Sequence, residues 1–321
     1  MTGTDLHGHL AQPAGWRRAL ALAPGMVDFA ERGFRTTPAA TRSTLETAAG
    51  AFLAGFNAEL AGPAGRHTDL GPVPAQRRGF AAEGAAMAAA LLDALTPVGP
   101  RRLATLRADY DDRYAYLVHV GVGWSLAKLH RGRLPRSTAD APLLRWLAYD
   151  GLGFCQAFFA SPRRFARWNT HPASCPPTCD IRYQGLGRSL WFRACGDPDT
   201  LAGFVAALPA RHRGDTWSGI ALAATYAGGV ERDVLTRLAD VSGPHRAAAA
   251  QGAAFAAEAW RLSGFIPPHA RLSVAELANA TVEDAAGWTW QARQGLDRPD
   301  ADATDYRQWR LAVQRHATAV A

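Results

Sequence analysis

A glycine-centred phrase recurs seven times in this chain, at Gly50, Gly84, Gly121, Gly151, Gly185, Gly219 and Gly252. The steps between successive glycines are 34, 37, 30, 34, 34 and 33 residues. A near-constant period in this range marks stacked two-helix units. Each copy carries a second small residue four positions on, at Ala54, Ala88, Ser125, Cys155, Ser189, Ala223 and Ala256. Positions i and i+4 share one helix face, so small residues there let two helix backbones approach closely. A glycine inside a helix costs ~1 kcal/mol relative to alanine. Seven such costs are comparable to the net stability of a domain, so close packing has to offset them. The phrases therefore predict an all-α fold, a tetratricopeptide-like α-solenoid of helical hairpins with a period of about 34 residues.

After each phrase the chain breaks and resumes with a second apolar stretch. Thr96-Pro97-Val98-Gly99-Pro100 is one break, followed by Leu103, Leu106, Tyr110, Tyr114 and Leu117 at helical spacing. Asp140 and Asp197 read as N-caps of further helices, Gly228-Gly229 as a helix end, and Ser242-Gly243-Pro244 as the start of the helix carrying Gly252. Tyr116 to Val120 is the best strand candidate, but it runs into a glycine phrase and is assigned to helix. The expected organisation is one domain, with an N-terminal lead-in over residues 1–40, seven repeats over 41–265 and a helical cap over 266–321.

The net charge is +7, yet Lys128 is the only lysine among 35 basic residues. The arginines are scattered and do not interleave with aromatics, which argues against nucleic-acid binding. No stretch reaches the ~18–20 apolar residues that span a bilayer, and no signal peptide opens the chain. These features predict a cytoplasmic protein. His171, Cys175 and Cys179 have metal-ligand residue types, but three-residue gaps and prolines between them favour a surface loop with reduced thiols over a zinc site. No metal and no cofactor is expected.

Conventional catalytic motifs are absent. The Gly-x-Gly phrases at 121, 151 and 185 lack the third glycine of a dinucleotide fingerprint, and Gly123-Trp124-Ser125-Leu126-Ala127 lacks the final glycine of a nucleophile elbow. Chemistry is expected instead from residues flanking the glycines. Glu83, Asp150, Gln184, Ser218 and Gln251 stand just before a glycine, and His119, Tyr149, Tyr183 and Trp217 one position earlier. Equivalent positions in stacked helices line up, so these residues predict a polar and aromatic stripe along one wall, with Trp124, Phe154, Phe158, Tyr226 and Phe255 adding apolar area. Such a groove suits an elongated apolar ligand with a few polar anchors. His119 and His245 are the candidates for proton transfer. Glu83 and Asp150 are carboxyl groups whose burial would raise their pKa.

Several longer phrases carry a resemblance. They are Phe29 to Phe34, Arg78 to Ala88, Val118 to Trp124, Gln184 to Phe192, Tyr226 to Gly229 and Gly243 to Arg246. Together they resemble a family of unknown function whose members, the UnbL-type proteins among them, accompany the iterative polyketide synthases of enediyne antibiotic clusters. The likeness runs from about residue 16 to 312 and leaves out the Pro- and Cys-rich stretch 168–180. It implies a role in making the enediyne core from a linear polyene, with that polyene as ligand and the synthase or other pathway enzymes as candidate protein partners. It brings no established catalytic residues. On this basis His119, Glu83, Asp150, Gln184, Arg188 and His245 are the expected polar anchors. The alternative is a non-catalytic helical-repeat scaffold for protein–protein interaction; a hydrolase-like or metal enzyme is a third, weaker reading.

Overall fold

The computed structural model describes residues 15–63, 66, 68–96, 101–130, 133–170 and 175–320. Among these residues the fold is all-α and contains no strand. Its helices are α1 (Ala39–Ala61), α2 (Ala75–Leu95), α3 (Arg102–Leu129), α4 (Leu147–Phe158), α5 (Pro162–Phe165), α6 (Thr178–Arg193), α7 (Pro198–Ala206), α8 (Ala210–Ala227), α9 (Arg232–Ser242), α10 (Arg246–Ser263), α11 (Pro268–Ala278), α12 (Val282–Arg293) and α13 (Ala303–Val320). Proline stands immediately before α1, α2, α8 and α11, at Pro38, Pro74, Pro209 and Pro267. There its fixed φ suits a helix start and its missing N–H leaves no helical bond unmade. Asp197 caps α7 as predicted, its side chain accepting from Thr200 N. Gly228 and Gly229, both at positive φ, end α8.

The seven glycine phrases fall on α1, α2, α3, α4, α6, α8 and α10, one per helix. These helices pack in that order, each against the next. Their contacts are backbone on backbone. Gly84 lies against the Phe52 carbonyl, Gly121 against that of Glu83, Gly151 against Val120, Gly185 against Asp150, Gly219 against Gln184 and Gly252 against Ser218. From Gly121 onward the carbonyl belongs to the residue just before the preceding helix's phrase glycine. At four of these crossings a second glycine returns the contact: Gly55 meets Ala81 O, Gly123 meets Ala148 O, Gly153 meets Arg182 O and Gly187 meets Thr216 O. A Cβ at Gly185 would lie 2.7 Å from Phe154 N, with no side chain available to give way.

Several expectations are corrected. Gly50 has open space around its Cβ direction, and Gly55 is the α1 residue that meets α2, at Ala81 O. The stretch from Leu103 to Leu117 is no separate hairpin partner. It runs end to end into the third glycine phrase, with no loop between, across a kink at Tyr114 where the backbone is not helical (φ −132°, ψ 22°). Asp140 does not cap the next helix, because its carboxylate accepts from Arg107 NH1 at 2.5 Å. The break at residues 97–100 lies outside the described residues.

The glycine-bearing helices also curl back on themselves. α10 returns to α3, where Phe255 meets Tyr116 edge to face at 6.2 Å. The start of α1 returns to the end of α8, where Thr41 Oγ1 donates to Gly229 O at 2.7 Å. α7, α9 and α11 form a second row outside α8 and α10, and α12 and α13 pack on α10. The curl turns the residues before the glycines inward, so Glu83, Asp150, Gln184, Ser218 and Gln251 are all buried instead of lining an open face. No helix among the described residues is long and apolar enough to cross a membrane.

The seam makes opposite predictions for two glycines. Gly219→Ala forces its Cβ into the α6 backbone and is expected to destabilise by about 1–3 kcal/mol or more. Gly50→Ala fills open space in a helix and is expected to stabilise by up to about 1 kcal/mol. Urea denaturation of the two variants checks both signs.

Candidate functional site

Three glycine-bearing helices bring ionisable groups together inside the curl. Glu83 precedes Gly84 on α2, Asp150 precedes Gly151 on α4, and Arg188 follows Gly187 on α6. Arg188 NH1 donates to Asp150 Oδ1 at 2.5 Å, and its NH2 reaches both Glu83 oxygens at 3.5 Å. Gln184 lies one turn before Arg188 on the same helix face, and its Nε2 donates to Asp150 Oδ2 at 2.8 Å. Trp124 Nε1 donates to Glu83 Oε1 at 2.9 Å. The guanidinium carbon of Arg188 sits 5.1 Å from the centre of the Phe154 ring.

One cation cannot neutralise two buried carboxylates. Burial pushes the Glu83 carboxyl above the usual carboxylate range, against the opposing pull of Arg188 and the Trp124 hydrogen bond. Burial also works against the Arg188 cation, yet Asp150 and Glu83 together raise its pKa above the ordinary value. The closer contact is Arg188 with Asp150. Burial thus works against a charged Glu83 beside the Arg188–Asp150 contact.

Two apolar cavities of about 40 Å³ each adjoin this cluster. Glu83 and Trp124 line one, with Phe52, Phe154 and Phe158. Asp150 and Tyr226 line the other, with Tyr116, Val120 and Phe255. Phe80, Arg188 and Phe192 are walls of both. Tyr226 stacks on Trp260 at 4.5 Å, and its buried hydroxyl, set over Gly79, has no hydrogen-bond partner among the described residues. An acid, an ion pair and an unused hydroxyl therefore face small apolar spaces.

The other predicted residues lie elsewhere. His119 on α3 is fully buried, lines neither cavity, and has no partner at either ring nitrogen among the described residues. His245, in the 3-10 turn Gly243–His245, is half-buried near Gly214. Tyr149 stacks on Trp146, and Tyr183 stacks on His212 and donates to Trp168 O at 2.8 Å. Trp217 is core. Ser218 Oγ donates to Gln251 Oε1 at 2.9 Å. The sequence reading missed Phe80 and Phe192, the shared walls; both stand within quoted phrases, but nothing in their spacing sets them apart from ordinary core.

The cysteine expectation is also corrected. Cys175 and Cys179 are joined by a disulfide instead of carrying reduced thiols, because the short turn into α6 brings them side by side. His171 lies outside the described residues. Asp180, His212 and Asp215 do cluster, with His212 Nδ1 3.3 Å from both carboxylates. Arg310 reaches Asp215 at 2.9 Å and Arg307 reaches Asp180 at 3.4 Å. These pairs give the acids counter-ions and hold α13 to α6 and α8.

The fold and site define an all-α protein with a glycine-seamed helix layer around a buried Glu–Arg–Asp cluster. A family model described as protein of unknown function (DUF1702) matches residues 14–317, and the chain belongs to that family. No curated protein and no solved structure matches the chain.

Arg188→Met would leave Asp150 buried without its counter-ion, with an expected loss of about 3–5 kcal/mol. Adding Asp150→Asn should recover part of that loss, as measured by denaturation of both variants. His119 makes a pH prediction. Burial holds its imidazole down at about 3, from an ordinary 6.5. The folded chain thus binds fewer protons than the unfolded chain in this window, and the stability from neutral His119 is present above pH 6.5 and lost as pH falls. At pH 5 the loss through this group is about 2 kcal/mol relative to pH 8. His119→Leu should flatten that part of the stability–pH curve.

Proposed function

We propose that this protein binds a linear polyene or polyyne intermediate and helps process it on the way to an enediyne core, as an accessory to a polyketide synthase. The observation that carries the reading is the pair of aromatic-walled cavities meeting at Glu83, Arg188 and Asp150. A conjugated chain is flat and apolar, and it packs well against aromatic faces. The ionisable groups give such a ligand an acid at Glu83 and a carboxylate at Asp150, separated by one guanidinium. General acid–base work on a conjugated chain needs a proton donor and an acceptor of this kind in a water-poor space. Tyr226 adds a hydroxyl that a polar group on the ligand can satisfy. His119 and His245 carry no part of this reading, since neither reaches the cavities.

At about 40 Å³ apiece the cavities are smaller than a polyene. The proposal therefore includes movement of Phe80 and Phe192, the side chains that divide them. It also takes the fold as a helical-repeat array, in which each glycine crossing repeats one contact and the curl supplies the binding interior.

The test is to incubate the purified protein with the synthase's polyene and follow co-elution and the polyene absorption band. Binding is expected, with Phe80→Trp weakening it at least tenfold by filling the shared wall. Glu83→Gln is expected to retain binding but fail to support the pathway in cells. No co-elution, together with full pathway support by Glu83→Gln, removes this reading. Stable capture of a pathway enzyme in that case favours the scaffold alternative.

A further inference from the structure

A second pocket, of about 670 Å³, opens where the ends of α3 and α4 meet α5 and the start of α6. It is lined by Lys128, His130, Arg164, Arg167 and Arg182, and no aspartate or glutamate among the described residues lines it. In a chain with 35 basic and 28 acidic residues, four permanent cations around one space without a carboxylate is a local excess that ordinary ion pairing does not explain. Several arginines elsewhere are paired with acids: Arg102 with Glu59, Arg107 with Asp111 and Asp140, Arg310 with Asp215.

Arg182 is the anchor of the group. Its NH2 donates to Gln156 Oε1 at 2.8 Å and its guanidinium lies over Trp168 at 5.5 Å. Its Nε is buried with no hydrogen-bond partner among the described residues. Burial lowers its pKa, and no carboxylate stands among the causes that act on it. Lys128 is held over the Phe159 ring at 5.0 Å. An unmatched guanidinium N–H is costly to bury, and clustered like charges repel each other, so a bound anion would relieve both.

We infer that this pocket is a binding site for a phosphate-bearing ligand, the guanidinium groups taking the phosphate oxygens and Trp168 and Phe159 the apolar part. A monocarboxylate would need one arginine, whereas a multiply charged phosphate matches several. Planar guanidinium forks suit tetrahedral oxyanions. The site stands independently of the polyene reading, since none of its cations lines the aromatic cavities.

Isothermal titration with inorganic pyrophosphate, with acetate at equal ionic strength as reference, tests it. Pyrophosphate is expected to bind measurably and acetate not, with affinity falling as salt is raised. Arg164→Gln with Arg167→Gln, both exposed positions, should weaken pyrophosphate binding at least tenfold without lowering the melting temperature, while Arg237→Gln on α9 should leave it unchanged. Pyrophosphate binding no tighter than acetate overturns the site. Equal binding by the Arg164→Gln/Arg167→Gln protein overturns it as well.

Discussion

The rest of this structure depends on one contact, the absence of a side chain where a helix backbone meets the carbonyl of the helix before it. At Gly185 that carbonyl is Asp150's, and at Gly219 it is Gln184's. Because the receiving carbonyl stands next to the previous glycine from α3 onward, each crossing fixes the axial position of the next helix relative to the last. Side chains just before the glycines then fall at matching heights. Asp150 and Gln184 can meet at 2.8 Å for this reason, although they are 34 residues apart. Ser218 and Gln251 meet the same way, 33 residues apart. The seam is thus both the packing device and the ruler that aligns the polar interior.

Alignment alone would give a polar stripe on a surface. The curl makes it an interior, and interior charges change the energetics. Desolvating two carboxylates and a guanidinium costs several kcal/mol per ion, and a packed apolar core of the same volume is often at least as stable. Glu83, Arg188 and Asp150 are therefore hard to account for by stability alone. Their hydrogen bonds to Trp124 and Gln184 reduce the cost without removing it. A buried carboxyl whose pKa burial raises, beside an Arg–Asp contact and next to apolar space, is the kind of environment in which side-chain chemistry becomes possible.

Much of this was legible in the chain itself. The glycine spacing marked seven of the helices, α1 to α4, α6, α8 and α10. The positions before the glycines identified Glu83, Asp150 and Gln184, which the structure brings together with Arg188 and Trp124. What spacing could not supply is the curvature of the whole. Return of α10 to α3 brings Phe255 against Tyr116, far apart in sequence and with no spacing that pairs them. Without that closure an open groove is the natural expectation. Gly50 misled for a related reason. It matches the period, but Gly55, off the period, faces α2. Periodicity reports which residues repeat, not which side of the helix meets a neighbour. Asp140 shows the same limit, since a long-range Arg107 outcompeted the local cap.

The two candidate sites differ in chemistry but share one side chain. Phe159 lines the aromatic cavity beside Trp124 and Glu83, and it also lines the basic pocket. Its ring is flanked on one side by Lys128 at 5.0 Å and approached by Arg32 at 5.1 Å. Cation–π contacts of this kind hold an aromatic ring in place by electrostatics as well as packing. Phe159 is thus a wall common to the apolar space and the basic pocket, held by two cations.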